Sequence, residues 1–348
     1  MSFMLKDIML NGTNYFKQIP GALTIIGMAK NVGKTVTLNY VQKVLHTQQF
    51  VLGLTSIGRD GESFDALTHL AKPSIVVQPQ TIVATAEKLV VDPNAWEYLQ
   101  DTDISTPLGK VVVLKARFVN QVVLAGPSKN QEVKEILQYL MHWGAECILI
   151  DGAFDRQSSA DPLISNKVIL ATGATLSRDV NQLVRITKCR VEQLTIPACN
   201  DEYRKLYEKS KAKIVNGNNG RWQESFVDTS LLCEAEWLAI LEHGCSVLMV
   251  KGAVGDGLAQ ALLKKQSMPE VIIQDGSKIF ITVHLWQQLK ARNINIQAAQ
   301  AISLLAVTIN PTYPGGEGIQ PDLLLREMGI ALAPIPVMNV VQEVKFQH

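Results

Sequence analysis

The sequence predicts an α/β fold: a mainly parallel sheet with helices on both faces, and after it a second, smaller α/β unit. Three observations carry this. The chain repeats one local pattern, a short β-branched run, a Gly- or Asp-rich turn, then apolar residues at helical spacing. Residues 23–26 and 34–45 are its first instance, the latter with Val36, Leu38, Val41, Val44 and Leu45 on one face. Residues 147–150 and 168–171 are short, wholly apolar runs, as expected of strands covered on both faces. Finally, 348 residues, 47% of them hydrophobic and 19% charged, suffice for two packed domains.

The remaining elements follow in order. Residues 50–57 read as a second strand ending in the polar loop 58–63, and 74–77 as a weaker strand. Residues 80–90 read as a helix. The runs 110–117 and 121–125 lie so close together that they predict an antiparallel hairpin. The spacing of Val133, Ile136, Leu137, Leu140 and Met141 predicts a helix over 131–143. A helix at 179–189 and a strand at 193–196 come next. The texture changes near residue 200. Beyond it lie a strand at 246–250, a helix from Gly257, and apolar runs at 271–274, 278–283 and 302–309. The expected domains are 1–200 and 201–348.

A formal net charge of +1 gives no electrostatic reason to expect nucleic acid or a membrane surface as partner. The five cysteines are scattered and form no C-x-x-C pair, which argues against a disulfide framework or a zinc knuckle. His243 and His284 are isolated, with no ligand-spaced companions. The first residues lack the apolar stretch of a secretory signal, and no run is long enough for a membrane helix. The expected location is the cytoplasm.

The segment Gly27-Met28-Ala29-Lys30-Asn31-Val32-Gly33-Lys34-Thr35 carries the most chemistry. It follows an apolar strand and opens an apolar-periodic helix, the context of a P-loop. Successive backbone N–H groups in such a loop form an anion nest, and the helix N-terminus adds its positive end. Gly33 lets the backbone approach phosphates, Lys34 reaches the terminal phosphates, and the Thr35 hydroxyl binds Mg²⁺. The residues expected to touch the nucleotide are Gly27, Lys30, Asn31, Val32, Gly33, Lys34, Thr35 and Val36. The spacing departs from the usual four intervening residues, since five separate Gly27 from Gly33.

Such a site needs a carboxylate for the metal or its water. Asp151 ends the apolar run 147–150 and is followed by Gly152, so it stands where ligands bind in open α/β sheets. Asp60 is the first choice for a further metal ligand, Glu62 the second, and Arg59 is placed to neutralise phosphate charge. The expected catalytic set is Lys34, Asp60 and Asp151, and the expected metal ligands are Thr35, Asp60 and Asp151. No N-K-x-D guanine signature is present, which favours ATP while leaving GTP open. The strand–glycine–helix segment 168–179 reads equally as a contact for the base or a substrate and as an ordinary connection, and 247–257 reads as an ordinary connection. The Pro/Gly loop 310–318 reads as a binding or partner surface.

The G-x-x-x-x-V-G-K-T form of residues 27–35 resembles the loop of dethiobiotin synthetase and related P-loop proteins, and Asp151-Gly152-Ala153 is similar to the E-G-A ending of that group. Related dimeric ATPases carry a lysine four residues before the second glycine. That position is Ala29 here and Lys30 lies one place off, which counts against a lysine donated across a dimer while leaving a homodimer open. More narrowly, the chain resembles the subunit encoded with lysine 5,6-aminomutase that helps to reactivate it. Residues 27–35, 55–62, Asp151-Gly152-Ala153-Phe154-Asp155-Arg156, 170–174 and Thr308-Ile309-Asn310-Pro311 carry that likeness. It implies that Mg²⁺-dependent ATP binding or hydrolysis drives exchange of a damaged cofactor on a B12-dependent partner, the aminomutase or its other reactivase subunit. The alternative is a carboxylate ligase of the dethiobiotin synthetase type.

Overall fold

In the computed structural model, which describes residues 21–58, 74–152, 164–218, 221–241, 245–266 and 268–341, the first apolar run becomes β1 (Gly21–Gly27). The periodic stretch behind it becomes α1 (Lys34–Thr47). Then come β2 (Leu52–Ser56), β3 (Ile75–Val77), β4 (Ile82–Ala86), β5 (Trp96–Thr106), β6 (Gly109–Ala116), β7 (Asn120–Val122), α2 (Asn130–His142), β8 (Cys147–Asp151), β9 (Lys167–Gly173) and α3 (Val180–Leu194). The chain continues through α4 (Asp201–Lys209), β10 (Ile214–Asn218), β11 (Arg221–Ser225), α5 (Glu234–Leu241), β12 (Val247–Val250), β13 (Val254–Gly255), α6 (Asp256–Lys264), β14 (Glu270–Ile273), β15 (Ile279–Phe280), α7 (Val283–Ala291) and β16 (Ile296–Ala298). It closes with β17 (Ser303–Asn310), α8 (Pro321–Leu332) and β18 (Val337–Met338).

The fold is mixed α/β, in two units: residues 1–183 with 305–348, and residues 184–304. The single cut expected near residue 200 gives way to an insertion. The cause is β17. Its apolar run was assigned to the second half, yet it lies beside β9 in the nine-stranded sheet β18-β17-β9-β1-β8-β2-β4-β6-β5. A run in which Val307 and Ile309 are fully buried and Ala306 and Thr308 nearly so needs cover on both faces, and a place inside the sheet between β18 and β9 supplies it.

The centre of that sheet is parallel: β1 pairs with β8 and β9, and β2 with β8 and β4. Alternation along the strands separates two cores. Leu23, Ile25, Cys147, Leu149, Val112 and Leu114 pack with Leu38, Val41 and Leu45 of α1 on one face. Ile148, Ile150, Val111 and Val113 pack with Val133, Ile136, Leu137 and Leu140 of α2 on the other. Helices thus cover both faces, as expected.

The margin differs from the sequence reading. Residues 80–90 hold β4 and a 3-10 turn at Glu87–Leu89, because a buried Ile-Val-Ala-Thr-Ala run suits a strand better than a helix. The close pair at 110–125 is not a hairpin. β6 pairs antiparallel with β4 and β5, and β7 pairs with β3. The turn that matters joins β5 to β6, where Thr106 faces Gly109 and Gly109 takes φ 103°. Residues 193–196 do not form a strand either; α3 runs on to Leu194.

The inserted unit has its own five-stranded sheet, β11-β10-β12-β14-β16. Leu248, Val250, Val271 and Ile273 pack against Trp237, Leu258, Leu262, Trp286 and Leu289 from α5, α6 and α7. Val215, Met249 and Ile272 pack against Tyr207 of α4. All five cysteines are free thiols; four are buried and Cys233 is exposed. Burial pushes the Cys147 thiol up to about 12, so it stays a neutral core residue. Among the described residues no helix is long and apolar enough to cross a membrane.

Candidate functional site

Because β1, β8 and β9 run parallel, their C-terminal ends share one edge of the sheet. The register sets Ile25 opposite Asp151, Ser56 of β2 opposite Asp151, and Gly27 opposite Ala171. The β1–α1 loop leaves from this edge, anchored by the Met28 N–H donating to the Ala171 carbonyl at 2.9 Å.

The loop folds tightly for reasons visible in its residues. A Cβ on Gly27 would lie 2.9 Å from Cγ2 of Val32, which is buried beneath the turn. Asn31 and Gly33 take φ of 61° and 89°, while Val32 between them does not. Alternating hand turns successive peptide N–H groups to one side, and Asn and Gly adopt the left-handed conformation at least cost. Gly33 is the residue before α1, and no side chain caps the helix. The N–H groups of Lys34, Thr35 and Val36 therefore open the helix with its positive dipole end uncompensated by a cap. Val36, in the first turn of α1, is half-buried with its side chain packed against the core. Thr35 is half-buried, and Lys30 and Asn31 are exposed.

Lys34 and Asp151 meet across this edge. The Lys34 ammonium lies 3.0 Å from Asp151 Oδ1 and donates to the Gly152 carbonyl at 2.8 Å. The Asp151 side chain is 9% exposed and that of Lys34 20%, so the pair is largely withdrawn from water. Gly152 lets β1 lie close to the end of β8, since a Cβ there would lie 2.9 Å from Cγ2 of Thr24. A buried carboxylate with an adjacent lysine can bind a cation or stay paired, and the lysine can turn to an anion.

The segments that follow β9 and β17 also converge here. The Thr175 hydroxyl donates to the Lys30 carbonyl at 3.2 Å, and Asn310 Nδ2 donates to the Asn31 carbonyl at 3.0 Å. Arg178 stacks over the Tyr313 ring at 5.1 Å. Thr37 and Thr308 join α1 to β17 through a buried hydroxyl pair at 2.8 Å. The sequence signs for Asn310 are its place at the start of the Pro/Gly loop 310–318, read as a binding or partner surface, and in the run Thr308-Ile309-Asn310-Pro311. Asp60, with Arg59 and Glu62, and Phe154, Asp155 and Arg156 lie outside the described residues. Among the described residues no group of three or more His, Cys, Asp or Glu is arranged to hold a metal.

The turn 250–256 repeats the strand–glycine–helix pattern with different chemistry. Val254 and Gly255 are used in pairing with Ile279 and Phe280. The first residue of α6 is Asp256, whose Oδ1 accepts the Thr282 N–H at 2.8 Å. In comparisons with known proteins, the chain matches no family model, no curated protein and no solved structure.

Proposed function

We propose that this chain binds the phosphates of ATP, with GTP as second choice, together with Mg²⁺ at residues 27–36, and uses hydrolysis to act on a protein partner. The observation that carries this reading is Lys34: a first-turn lysine at an uncapped helix start, 3.0 Å from a carboxylate on the neighbouring parallel strand. The left-handed Asn31 and Gly33 and the missing Cβ of Gly27 suit a loop that wraps an anion.

When bound, the nucleotide supplies the phosphoanhydride bond and Mg²⁺ the neutralising charge. The chain's own residues supply the rest. The N–H groups of Val32 to Val36 donate to phosphate oxygens, and Lys34 turns from Gly152 toward the terminal phosphates. Thr35 offers a hydroxyl and Asp151 a carboxylate to the metal or its water. Two such groups suffice, because magnesium takes its remaining ligands from phosphate and water. The partner is taken from the likeness to the lysine 5,6-aminomutase reactivase subunit: a B12-dependent aminomutase or the other reactivase subunit.

Calorimetry with MgATP and MgGTP on the wild type and Lys34→Ala tests the site. Binding by the wild type and a loss of about 100-fold or more in the variant are expected. Unchanged affinity in Lys34→Ala would sink the assignment. ATP turnover without any small molecule supports action on a protein; turnover strictly dependent on a carboxylate would replace that reading with the ligase.

A further inference from the structure

Asn310 ends β17 as a residue that is 8% exposed, and its surroundings fix which way the amide points. Its Oδ1 accepts the Thr312 N–H at 3.0 Å and the Thr312 hydroxyl at 2.7 Å. With the oxygen held by two donors, the amide nitrogen is the group left to face the Asn31 carbonyl, to which it donates at 3.0 Å. A trans peptide is planar, with its C=O and N–H on opposite sides. Tying the Asn31 carbonyl to Asn310 therefore turns the Val32 N–H away from Asn310. Thr175 makes the same kind of tie one peptide earlier, on the Lys30 carbonyl at 3.2 Å. The approach depends on glycine: a Cβ on Gly33 would lie 3.2 Å from Cβ of Asn310, and one on Gly173 2.5 Å from the Asn310 carbonyl oxygen.

We propose that Asn310, assisted by Thr175, is a positioning residue that aims the peptide N–H groups of the 27–35 loop at the phosphates of the bound nucleotide. This rests on the nucleotide reading above. Both residues act through the main chain, so their loss weakens every phosphate-bearing ligand alike, whatever base it carries. A base contact would instead show itself only when a base is present.

The experiment measures affinity and stoichiometry for MgATP and for magnesium tripolyphosphate by calorimetry. It uses the wild type, Asn310→Ala, Asn310→Asp and Thr175→Val, with Lys34→Ala as reference. Asn310→Ala is expected to bind both ligands about tenfold more weakly at unchanged stoichiometry. Asn310→Asp keeps the shape and the acceptor for Thr312 but sets an oxygen against the Asn31 carbonyl, so it binds more weakly still. Thr175→Val, at a half-buried position, loses about threefold and stands as the variant least exposed to misfolding. Wild-type affinity in the Asn310 and Thr175 variants, with binding lost in Lys34→Ala, would overturn the positioning role and leave the nucleotide site intact. Weakening toward ATP alone would overturn it in favour of a base contact. A wild type that binds neither ligand would bring down the nucleotide reading and this inference with it.

Discussion

Residues 27–34 and 250–256 share one local design, an apolar strand, a glycine-bearing turn and a helix, yet they present opposite chemistry. Neither helix has a side-chain cap, but at the first the residue before the helix is left-handed and the first helical residue is a lysine paired with a carboxylate from the next strand. At the second, the residue before the helix, Gly255, is extended at φ −128° and is itself used with Val254 in β-pairing. The helix there starts on Asp256, whose own negative charge sits at the positive dipole end. An anion approaching the second turn meets a carboxylate; an anion approaching the first meets N–H groups and an ammonium. The strand–turn–helix pattern therefore does not separate the two turns. The hand of the last loop residue and the charge of the first helical one do.

Exchanging those charges breaks the comparison most severely. Lys34→Asp should abolish nucleotide binding in calorimetry. It should also lower stability by about 3–5 kcal/mol in urea melts, since it sets a second carboxylate against the largely buried Asp151. Stability at or above the wild type would mean that the ion pair does not hold this edge together. Exchanging the glycines comes next. Gly33→Ala forces an L side chain to φ 89° with its Cβ 3.2 Å from Asn310, at a cost of about 2 kcal/mol. Gly255→Ala places its Cβ no closer than 3.6 Å to any neighbour in ordinary extended backbone, so its thermal midpoint should barely move. Equal shifts would show that left-handed geometry is not what separates the two turns. Asp256→Asn should cost about 0.5–1 kcal/mol from the lost charge at the helix start, with nucleotide affinity untouched. A change in affinity would mean that the second turn takes part in binding.

Much of the first loop was legible because its causes are local. Gly27, Gly33 and the apolar spacing of α1 are set by neighbours within a few residues. Asp151 was legible because an apolar run that ends on a carboxylate announces a strand end. Asn310 was not, because what gives it a role is a carbonyl 279 positions away in the chain. The antiparallel margin was misread for a related reason. β5 is long and polar, with two irregularities in its register, so no apolar run marks it. β4 is apolar without a break, and an unbroken apolar run does not distinguish strand from helix.

By itself the sequence determined the α/β class, the parallel centre of the first sheet, and a glycine loop with a lysine at a helix start. Those follow from side-chain periodicity and from backbone preferences that act over a few residues. Only the tertiary structure decided that β17 returns to the first sheet, that residues 184–304 are an insertion, and that Lys34 meets Asp151 while Asn310 meets the loop. These depend on which strands lie side by side, and that choice is made by burial summed over the whole sheet.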